Sequence, residues 1–382
     1  MRATGTTQFK TQPGLIGFDV TALAFGYHSG VGRYTRQLLA ALIDRHDEHR
    51  YALLANKPVK GALPSGAIDR IQRRTVNRTW WLQLIVPRTI AQLQPELCHF
   101  TNVVAPLNAP CPIVVTIHDA AILMNPQWQP LKSLLAVRAF LPSVARRADA
   151  IIAVSHSARR DLITYLRLPP DKVRVVYEAA APHYRPIENA AEIDRVRRRY
   201  QLHDPFALYV GTIEPRKNLD RLVQAFGRIQ KADRHQQLIM VGQLGWKYRA
   251  VLKLVEDLGL QDRVRQLGYV PDEDLPAIYT LANFSVYPSL YEGFGLPIIE
   301  SMACGTPVIT SNRSSMAELG TGAALLIDPT QIDSLADGWQ QLLTDASLRS
   351  ELRAAGLQRA AEFSWSRAAA ETVEVYDSLR AD

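Results

Sequence analysis

The stretch YPSLYEGFGLPIIESMACG, residues 287–305, constrains the fold of this chain more than any other. An apolar run that ends at Tyr287 predicts a β-strand. A turn containing Gly293 and Gly295 follows, and glycine allows the backbone to approach a ligand closely. Pro297 suits the first turn of a helix, and the apolar residues after it recur at helical spacing. A strand, a glycine turn and a helix in this order predict a parallel α/β sheet.

The same unit carries two carboxylates beside a helix N-terminus. Glu292 precedes the helix and Glu300 lies about one turn inside it, so both can line one crevice at different depths. The helix N-terminus itself favours an anion. This layout suits a ligand with a phosphate in the middle and hydroxyls at both ends, as in a nucleotide-sugar. A Rossmann-like unit with two incidental glutamates remains the alternative interpretation.

Length and charge limit the class of protein. A chain of 382 residues predicts two domains. The net charge of +7 suggests an anionic partner, and a nucleotide, a membrane surface or a nucleic acid would each fit. No zinc-ligand spacing or known nucleic-acid module is visible, so we expect no nucleic acid partner. The polar start of the chain, the absence of a long apolar run and three cysteines in apolar surroundings predict a cytoplasmic protein.

Strands alternate with helices through the first half of the chain, which predicts a mostly parallel sheet. Gly30 and Gly32 mark a turn between the first strand and a helix, but the third glycine of a dinucleotide-binding turn is missing, and a plain surface loop explains them equally well. His118 follows the strand PIVVTI, where ligands of α/β sheets bind, although it could simply end the strand. Ser157 is the predicted N-cap of a later helix.

A basic, tryptophan-containing segment interrupts the first half. It runs from residue 70 to residue 94 and contains Trp80 and Trp81 together with five arginines, namely Arg70, Arg73, Arg74, Arg78 and Arg88. Arginines beside paired tryptophans suit the surface of an anionic membrane. The alternative is a helix that packs on its own sheet and exposes solvated arginines. We favour packing for the helix and keep membrane contact for its N-terminal end, from Arg70 to Trp81.

The second half places two cations at the carboxyl end of a strand. Arg216 and Lys217 follow the strand FALYV and precede a helix, where the helix dipole disfavours cations. A diphosphate bound there would explain their position. Further on, Asp272 is the predicted N-cap of a helix, with Glu273 and Asp274 in its first turn. That arrangement is favourable without an ion, so we expect no metal site here.

Several segments together resemble the family 4 glycosyltransferases. The most specific element is a pair of glutamates separated by seven residues, Glu292-GFGLPII-Glu300, followed by SMACGTPVI. Supporting segments are GTIEPRKN, LGYVPDEDL, SGVGRYTR and TIHD, in the family's order. The resemblance implies an α/β protein of the GT-B fold, with two Rossmann-like domains and parallel sheets that face across a cleft. Residues 1–187 are the expected acceptor-side domain, 188–363 the nucleotide-sugar domain, and 364–382 a helix that crosses back.

The resemblance also implies roles for individual residues. Arg216 and Lys217 look like the pair that binds the diphosphate in place of a metal, so no metal and no separate cofactor are expected. Glu300 is similar to the glutamate at the ribose hydroxyls, and Glu292 to the one at the sugar hydroxyls. His118 looks like the histidine beside the reacting face of the sugar. The remaining implied donor contacts are Gly32 at the phosphate, the backbone of Phe294, Gly295 and Leu296 at sugar and phosphate, and the base against the loop of Tyr269, Val270 and Asp272.

The implied reaction is the transfer of a sugar from a nucleoside diphosphate to an acceptor hydroxyl, with retention at the anomeric carbon. The segments GTIEPRKN, GWK and SLYEGFGLP look more like those of bacterial mannosyltransferases that use GDP-mannose than like those of sucrose or glycogen enzymes. A UDP-sugar donor and a catalytically silent scaffold subunit stay open as alternatives. The expected acceptor is a polysaccharide or a lipid-linked oligosaccharide, reached from the inner face of the cytoplasmic membrane.

Overall fold

The computed structural model describes residues 12–25, 30–59, 63, 68–72, 80–128, 131–203, 205–232 and 235–380. The chain divides into two compact units. Unit 1 comprises Met1–Met124, Leu131–Tyr177 and Trp365–Asp382, and unit 2 comprises Asn125–Pro130 and Glu178–Ser364. The C-terminal segment is therefore part of the first unit, and a short segment from the middle of the N-terminal sequence is part of the second.

Unit 1 is built on a seven-stranded parallel sheet of order β3-β2-β1-β4-β5-β6-β7. Its strands are β1 (Gln12–Asp19), β2 (Arg50–Ala55), β3 (Ile68–Gln72), β4 (Pro95–Phe100), β5 (Ile113–Ile117), β6 (Ala150–Ala153) and β7 (Val173–Val175). All five residues of β5 are buried. A continuous apolar run of this kind is typical of a parallel strand covered on both faces.

The helices of unit 1 follow its strands. They are α1 (Gly30–Asp44), α2 (Val86–Leu93), α3 (Ala121–Met124), α4 (Leu131–Arg147), α5 (His156–Leu166) and, at the C-terminus, α14 (Trp365–Ser378). A π-helical turn, Trp81–Ile85, leads directly into α2. Arg70 lies in β3, paired with Leu53 of β2, so the basic segment begins as a strand. Residues 73–79, which include three of its arginines, lie outside the described residues.

The predicted cap of α5 is wrong by two residues. The N-cap is Ser155, whose backbone is extended and whose hydroxyl accepts a hydrogen bond from the Ala158 N–H at 2.9 Å. Ser157 lies within the first turn of the helix and is buried. The helix starts earlier because β6 ends at Ala153 and Ser155 has the extended conformation that a capping residue needs.

Unit 2 is built on a six-stranded parallel sheet of order β10-β9-β8-β11-β12-β13. The strands are β8 (Phe206–Val210), β9 (Gln237–Val241), β10 (Val264–Gly268), β11 (Phe284–Tyr287), β12 (Val308–Ser311) and β13 (Leu325–Ile327). The helices are α6 (Ala190–Tyr200), α7 (Leu219–Ala232), α8 (Tyr248–Asp257), α9 (Leu275–Leu281), α10 (Leu296–Ala303), α11 (Ser314–Gly320), α12 (Ile332–Thr344) and α13 (Ala346–Ala361). The prediction of two Rossmann-like parallel sheets is confirmed.

Close backbone contact shapes the carboxyl edge of this second sheet. Gly242, which follows β9, has φ +140°, and a Cβ atom there would lie 2.1 Å from the carbonyl oxygen of Gly211, which follows β8. Only glycine fits at such a distance. The backbones of the loops after β8 and β9 are therefore in direct contact, and this contact fixes the Cα positions of the residues in both loops. Among the described residues, no helix is both long and apolar enough to span a bilayer.

Candidate functional site

The candidate site lies at the carboxyl ends of β8 and β11, which are neighbours in the second sheet. Arg216 and Lys217 lie in a 3₁₀ turn, Pro215–Lys217, that follows β8. Glu292 lies in the loop between β11 and α10. Because neighbouring parallel strands end at the same edge, the two loops meet there. The fold thereby joins Glu292 to two predicted cations that lie 76 and 75 positions earlier in the sequence.

The Glu292 carboxylate is shared by both cations. Its Oε2 accepts a hydrogen bond from Arg216 Nη1 at 2.5 Å, and its Oε1 accepts one from Lys217 Nζ at 2.7 Å. The hydroxyl of Tyr287 accepts from Lys217 Nζ at 2.6 Å and lies 3.1 Å from Glu292 Oε1. All three charged groups are almost fully enclosed, with side chains between 9 and 13% exposed. Charged hydrogen bonds of this length in a buried place fix the side chains firmly.

Hydrogen bonds to backbone carbonyls join the two loops that carry these side chains. The Leu290 N–H donates to the Arg216 carbonyl at 2.9 Å, and Arg216 Nη1 donates back to the Tyr291 carbonyl at 2.9 Å. The buried amide of Asn218, in a left-handed conformation with φ 61°, donates to the Pro288 carbonyl at 3.0 Å. The positions of the cations and of Glu292 are therefore set by one connected backbone framework.

Burial and charge act in opposite directions on the Glu292 carboxyl. Burial by itself raises its pKa. The adjacent cations Arg216 and Lys217 outweigh burial and lower the pKa from 4.5 to about 2. Burial lowers the pKa of the Lys217 ammonium, while the Glu292 charge opposes this. Burial, reinforced by the Glu292 charge, raises the pKa of Tyr287 well above its ordinary value, so its hydroxyl keeps its proton. Glu292 is thus a permanent anion at neutral pH.

A second carboxylate completes the charge balance of the site. Glu214 Oε1 accepts from Arg216 Nη2 at 2.8 Å, so Arg216 lies between two acids. Two cations and two anions leave the cluster close to neutral. Arginine carries five donors and lysine three, so both can hold additional acceptor oxygens beside these carboxylates. The cluster can therefore accept an anionic group only by sharing these donors with it.

The glycine turn leads from Glu292 into α10. Gly295 has φ +116°, a conformation that is open to glycine and costly for other residues, and it precedes Leu296, the first residue of the helix. The hydroxyl of Ser315, on α11, donates to the carbonyls of Glu292 at 2.9 Å and Phe294 at 2.5 Å. The turn is therefore held from α11, and the predicted backbone contacts of Phe294, Gly295 and Leu296 start from a fixed conformation.

Glu300 lies on α10 and is buried. The Tyr279 hydroxyl is 3.4 Å from its Oε2. Burial and the Glu300 charge together raise the pKa of the Cys304 thiol, one turn further along the helix. Glu300 thus lies on the same strand–turn–helix unit as Glu292, and its predicted contact with a ribose stays a prediction.

The predicted base-binding loop differs locally from expectation. Tyr269 is 51% exposed and Val270 is buried. The predicted N-cap Asp272 is wrong, because α9 begins at Leu275 and Asp274 precedes it. The carboxylate of Asp272 instead accepts from Tyr184 Oη at 2.7 Å and pairs with His183 Nε2 at 2.8 Å.

Asp274 is also taken up by tertiary contacts rather than by the helix. Its buried carboxylate pairs with Arg195 at 2.6 Å and with Arg199 at 3.0 Å, and accepts from Tyr200 Oη at 2.7 Å. These partners lie on α6, which is about 75 residues earlier in the chain. The acids at 272 and 274 thus bind positions near the start of unit 2.

Two predicted site residues belong to unit 1. Gly32 is buried within the first turn of α1. His118 follows β5, and its Nε2 donates to the Thr101 carbonyl at 3.1 Å, which places a proton on that nitrogen. The ring of Tyr34 packs edge-on against His118 at a centroid distance of 4.7 Å. The position of the His118 ring is therefore fixed by β4 and α1 residues, and its role at the sugar stays a prediction.

Sequence analysis missed two residues of the candidate site, Tyr287 and Glu214. Tyr287 was assigned only as the end of a strand, although it bonds both Lys217 and Glu292. Nothing in the segment GTIEPRKN indicates that its Glu214 pairs with Arg216. Each of these residues lies inside a segment that the sequence analysis singles out, but sequence alone does not show which residues pair.

Comparison with known proteins identifies the family. A profile described as "Glycosyltransferase Family 4" matches residues 28–182, and one described as "Glycosyl transferases group 1" matches residues 191–359. The O-antigen chain mannosyltransferase B of Escherichia coli is 38% identical over 268 residues, which are 70% of each chain. The serotype-specific mannosyltransferase WbdA of Escherichia coli is 29% identical over a match that covers 93% of this chain and 47% of WbdA.

Solved structures show the same fold. Sucrose-phosphate synthase from Thermosynechococcus elongatus superposes with a TM-score of 0.77 at 24% identity, over 96% of this chain and 99% of the other. Anabaena Alr3699/HepE in complex with UDP and glucose superposes with a TM-score of 0.75 at 18% identity, over 95% and 99%. With two parallel α/β sheets, both profiles and a relative at 38% identity, the chain has the GT-B fold and belongs to the family 4 glycosyltransferases.

Proposed function

We propose that this protein transfers a mannosyl residue from GDP-mannose to a hydroxyl of a polysaccharide or lipid-linked oligosaccharide, with retention at the anomeric carbon. The observation that carries the proposal is the buried cluster of Arg216, Lys217 and Glu292 at the carboxyl edge of the second sheet. It combines two cations suited to a diphosphate with one carboxylate suited to sugar hydroxyls. The identity of 38% to an O-antigen mannosyltransferase supports mannose as the sugar.

In the proposed complex the donor diphosphate lies against Arg216 and Lys217, and no metal is needed to balance its charge. Glu292 accepts hydrogen bonds from hydroxyls of the sugar, and Glu300 from hydroxyls of the ribose. The base lies against the loop of Tyr269, Val270 and Asp272. The two cations would stabilise the charge that develops on the leaving diphosphate.

The proposed transfer takes place on one face of the sugar. The bond between the anomeric carbon and the phosphate oxygen breaks, and the acceptor oxygen bonds to the same face of that carbon. The acceptor proton passes to the leaving phosphate oxygen, so the products are a nucleoside diphosphate and the extended acceptor. Glu292 is committed to Arg216 and Lys217 and stays ionised. It therefore acts by holding the sugar, and no covalent intermediate on it is required.

A UDP-sugar donor is the second candidate. It is favoured by the similarity to Alr3699/HepE, whose structure contains UDP and glucose. That similarity, at 18% identity, concerns the fold. The charged cluster would bind the diphosphate of either donor, so the base and sugar must be decided by measurement.

The first test is thermal stabilisation by GDP, GDP-mannose, UDP and UDP-glucose without added metal. A ligand present at 100 times its dissociation constant stabilises a folded protein by about 2.7 kcal/mol, which gives a clear shift in melting temperature. We expect the shift with GDP and GDP-mannose. Release of GDP when an acceptor oligosaccharide is added would then establish transfer, and the anomeric configuration of the product would test retention.

The matched variants are Arg216→Ala with Lys217→Ala, and Arg198→Ala with Lys253→Ala, which removes two exposed cations and the same net charge. We expect the first pair to abolish the shift and the second to preserve it. Because the first pair leaves Glu292 buried without either of these cations, Lys217→Gln serves as a milder variant that keeps a donor. If only UDP compounds shift the melting temperature, the proposed donor changes from GDP-mannose to a UDP-sugar. If no nucleotide shifts it, the enzyme proposal is contradicted.

We also propose peripheral contact with an anionic membrane through unit 1. Trp80 is 64% exposed and Leu84 45% exposed on the turn that leads into α2. Leu107 is also exposed. It lies beside this turn, since its N–H donates to Gln83 Oε1 at 3.0 Å. Exposed tryptophan and leucine on a chain of net charge +7 suit a membrane interface.

Vesicle cosedimentation tests this contact. We expect binding to vesicles with anionic phospholipid, weaker binding to neutral vesicles, and loss of binding in Trp80→Ala with Leu84→Ala. Tyr165→Ala, which alters an exposed aromatic residue on α5, is the control. Equal binding of the wild-type protein and the double variant would contradict the proposed surface.

A further inference from the structure

A tryptophan from the N-terminal half of the sequence lies in the second unit. Met124 ends α3 in unit 1, and Leu131 begins α4 in the same unit. Between them, residues 125–128 belong to unit 2, and Pro126–Trp128 forms a 3₁₀ turn. The segment is short and its backbone carries no strand or helix of the second sheet. Its position must therefore be held by local contacts of its own.

Trp128 is held from two sides. Its ring stacks on the ring of Tyr291 at a centroid distance of 6.3 Å and an interplanar angle of 24°. Its carbonyl accepts a hydrogen bond from the indole Nε1 of Trp246 at 3.0 Å. Lys247 Nζ lies 4.5 Å from the centroid of the Trp246 ring. Stacked aromatic pairs and a hydrogen bond to the backbone together define one orientation of the segment.

The residue that Trp128 stacks on belongs to the charged cluster. The Tyr291 carbonyl accepts from Arg216 Nη1, the same nitrogen that donates to Glu292. Tyr291 is also the residue directly before Glu292 and is almost fully buried. A shift of the Tyr291 ring would therefore move both the acceptor of Arg216 and the backbone of Glu292.

Three loops of the second sheet are connected through this contact. Tyr291 lies after β11 and Trp246 lies after β9, while Arg216 lies after β8, the strand between them. The loops after β8 and β9 are already joined, since the Gly245 N–H donates to the Ile213 carbonyl at 3.0 Å. Trp128 connects the outer two loops through its ring and its carbonyl.

We propose that Trp128 is a positioning residue for the donor site, acting through Tyr291 on Arg216 and Glu292. This inference rests on the proposed function. In this proposal Trp128 itself contacts neither the donor nor the reacting atoms. Its function is to keep the Arg216 guanidinium and the Glu292 carboxylate in the geometry that binds diphosphate and sugar, and it is supplied by a segment whose neighbours in sequence belong to unit 1.

The test compares Trp128→Ala with Trp128→Phe in the full chain. We measure kcat and KM for the sugar donor, and the melting temperature without ligand. Misplacement of catalytic groups by fractions of an ångström lowers turnover strongly, so we expect kcat of Trp128→Ala to fall about tenfold or more. Phenylalanine can still stack on Tyr291, so we expect Trp128→Phe to stay within about threefold of wild type. Tyr165→Ala is the control and should be unchanged.

A double-mutant cycle with Tyr291→Ala separates positioning from a general structural role. If Trp128 acts through Tyr291, the double variant loses no more kcat than Tyr291→Ala alone. Losses that multiply, or a Trp128→Ala variant with wild-type kcat, would overturn the inference. If Trp128→Ala fails to fold, Trp246→Phe removes the hydrogen bond to the Trp128 carbonyl while keeping an aromatic ring beside Lys247, and it should lower kcat at an unchanged melting temperature.

Failure of the two proposals can be told apart. If the wild-type protein is not stabilised by any nucleotide and uses no donor, the proposed function is wrong. If the wild-type protein binds and uses a donor while Trp128→Ala and Trp246→Phe do so equally well, only the positioning role is wrong.

Discussion

At the scale of single residues, the most consequential group is the Glu292 carboxylate. It is buried, and it joins Arg216 and Lys217 across two loops. Removing one partner of a buried charge pair leaves the other uncompensated, which costs far more than an exposed pair would. Its neighbours are therefore expected to respond to any change at this position.

We expect Glu292→Gln to lower turnover of the sugar donor by about 100-fold, because a preorganised charge is lost where the sugar is held. The measurement is steady-state transfer, together with the melting shift by the nucleoside diphosphate alone, which should remain. Glu256→Gln, at an exposed position on α8, is the control. Nearly full turnover in Glu292→Gln would show that Glu292 does not place the sugar.

The same carboxylate predicts a pH dependence of stability. Its pKa of about 2 in the folded protein lies below the ordinary value of 4.5. A lowered pKa contributes stability that is present above 4.5 and is lost as the pH falls from there through about 2. Urea denaturation at pH 6, 4 and 3 should therefore show a smaller acid loss in Glu292→Gln than in the wild type. Equal losses would contradict the assignment.

His99 predicts a loss of stability at milder acidity. It is fully buried on β4, and its Nδ1 and Nε2 lie 2.7 Å from Tyr376 Oη and 2.8 Å from Thr116 Oγ1. Burial, helped by the charge of His118, lowers its pKa from 6.5 to about 3. A base with a lowered pKa destabilises the folded state as the pH falls below the unfolded value.

From pH 7 to pH 5, His99 should therefore contribute a loss of about 2 kcal/mol in the free energy of unfolding. His99→Gln keeps hydrogen-bonding capacity but cannot be protonated, so the difference between the two proteins should shrink by about that amount as the pH is lowered. The measurement is urea denaturation at both pH values. A difference that does not change with pH would show that His99 titrates normally.

At the scale of elements, the turn before α10 combines a strained conformation with a functional position. Gly295 has φ +116°, and a Cβ there would lie 3.2 Å from Ile298 Cδ1. Gly259, after α8, has φ +65° and open space around its Cα. The two glycines therefore separate backbone strain from displacement of the site.

We expect Gly295→Ala to cost about 1–3 kcal/mol and to lower donor turnover, because the strained turn must move and Glu292 lies three residues earlier. Gly259→Ala should cost about 1–2 kcal/mol through its left-handed backbone and leave turnover unchanged. Denaturation curves and steady-state rates for both variants provide the comparison. Full activity of Gly295→Ala would mean that the turn does not have to keep this conformation.

At the scale of the whole molecule, the C-terminal helix is part of unit 1. Tyr376 of α14 bonds His99, and Arg380 pairs with Glu96 at the start of the first sheet. Trp365 packs against Tyr34 at a centroid distance of 5.9 Å. Residues 365–380 therefore pack against the strands and helices of unit 1 and form part of its core.

A chain that ends at Ser364 should lose the stability of unit 1 while unit 2 keeps its own sheet. We expect an additional, earlier melting transition in this truncation, whereas a chain that ends at Arg380 should melt like the full protein. Binding of nucleoside diphosphate, assigned to unit 2, should still raise the later transition. A single unchanged transition in the shorter chain would contradict the contribution of α14.

The sequence by itself determined the order of strands and helices, the parallel sheets and the position of the glycine turn, because period, proline and glycine act locally. It also singled out Arg216, Lys217, Glu292 and Glu300. Only the tertiary structure decided that Glu292 pairs with both cations, because these residues meet only when β8 and β11 become neighbours.

Tertiary structure also decided the contacts that sequence analysis missed or misassigned. Asp272 binds Tyr184 and His183 instead of capping a helix, and Trp128 belongs to the second unit. In both cases the partner lies 88 or more residues away along the chain. Local propensity contains no information about such a partner, and burial and charge pairing select it only when the sheets have formed.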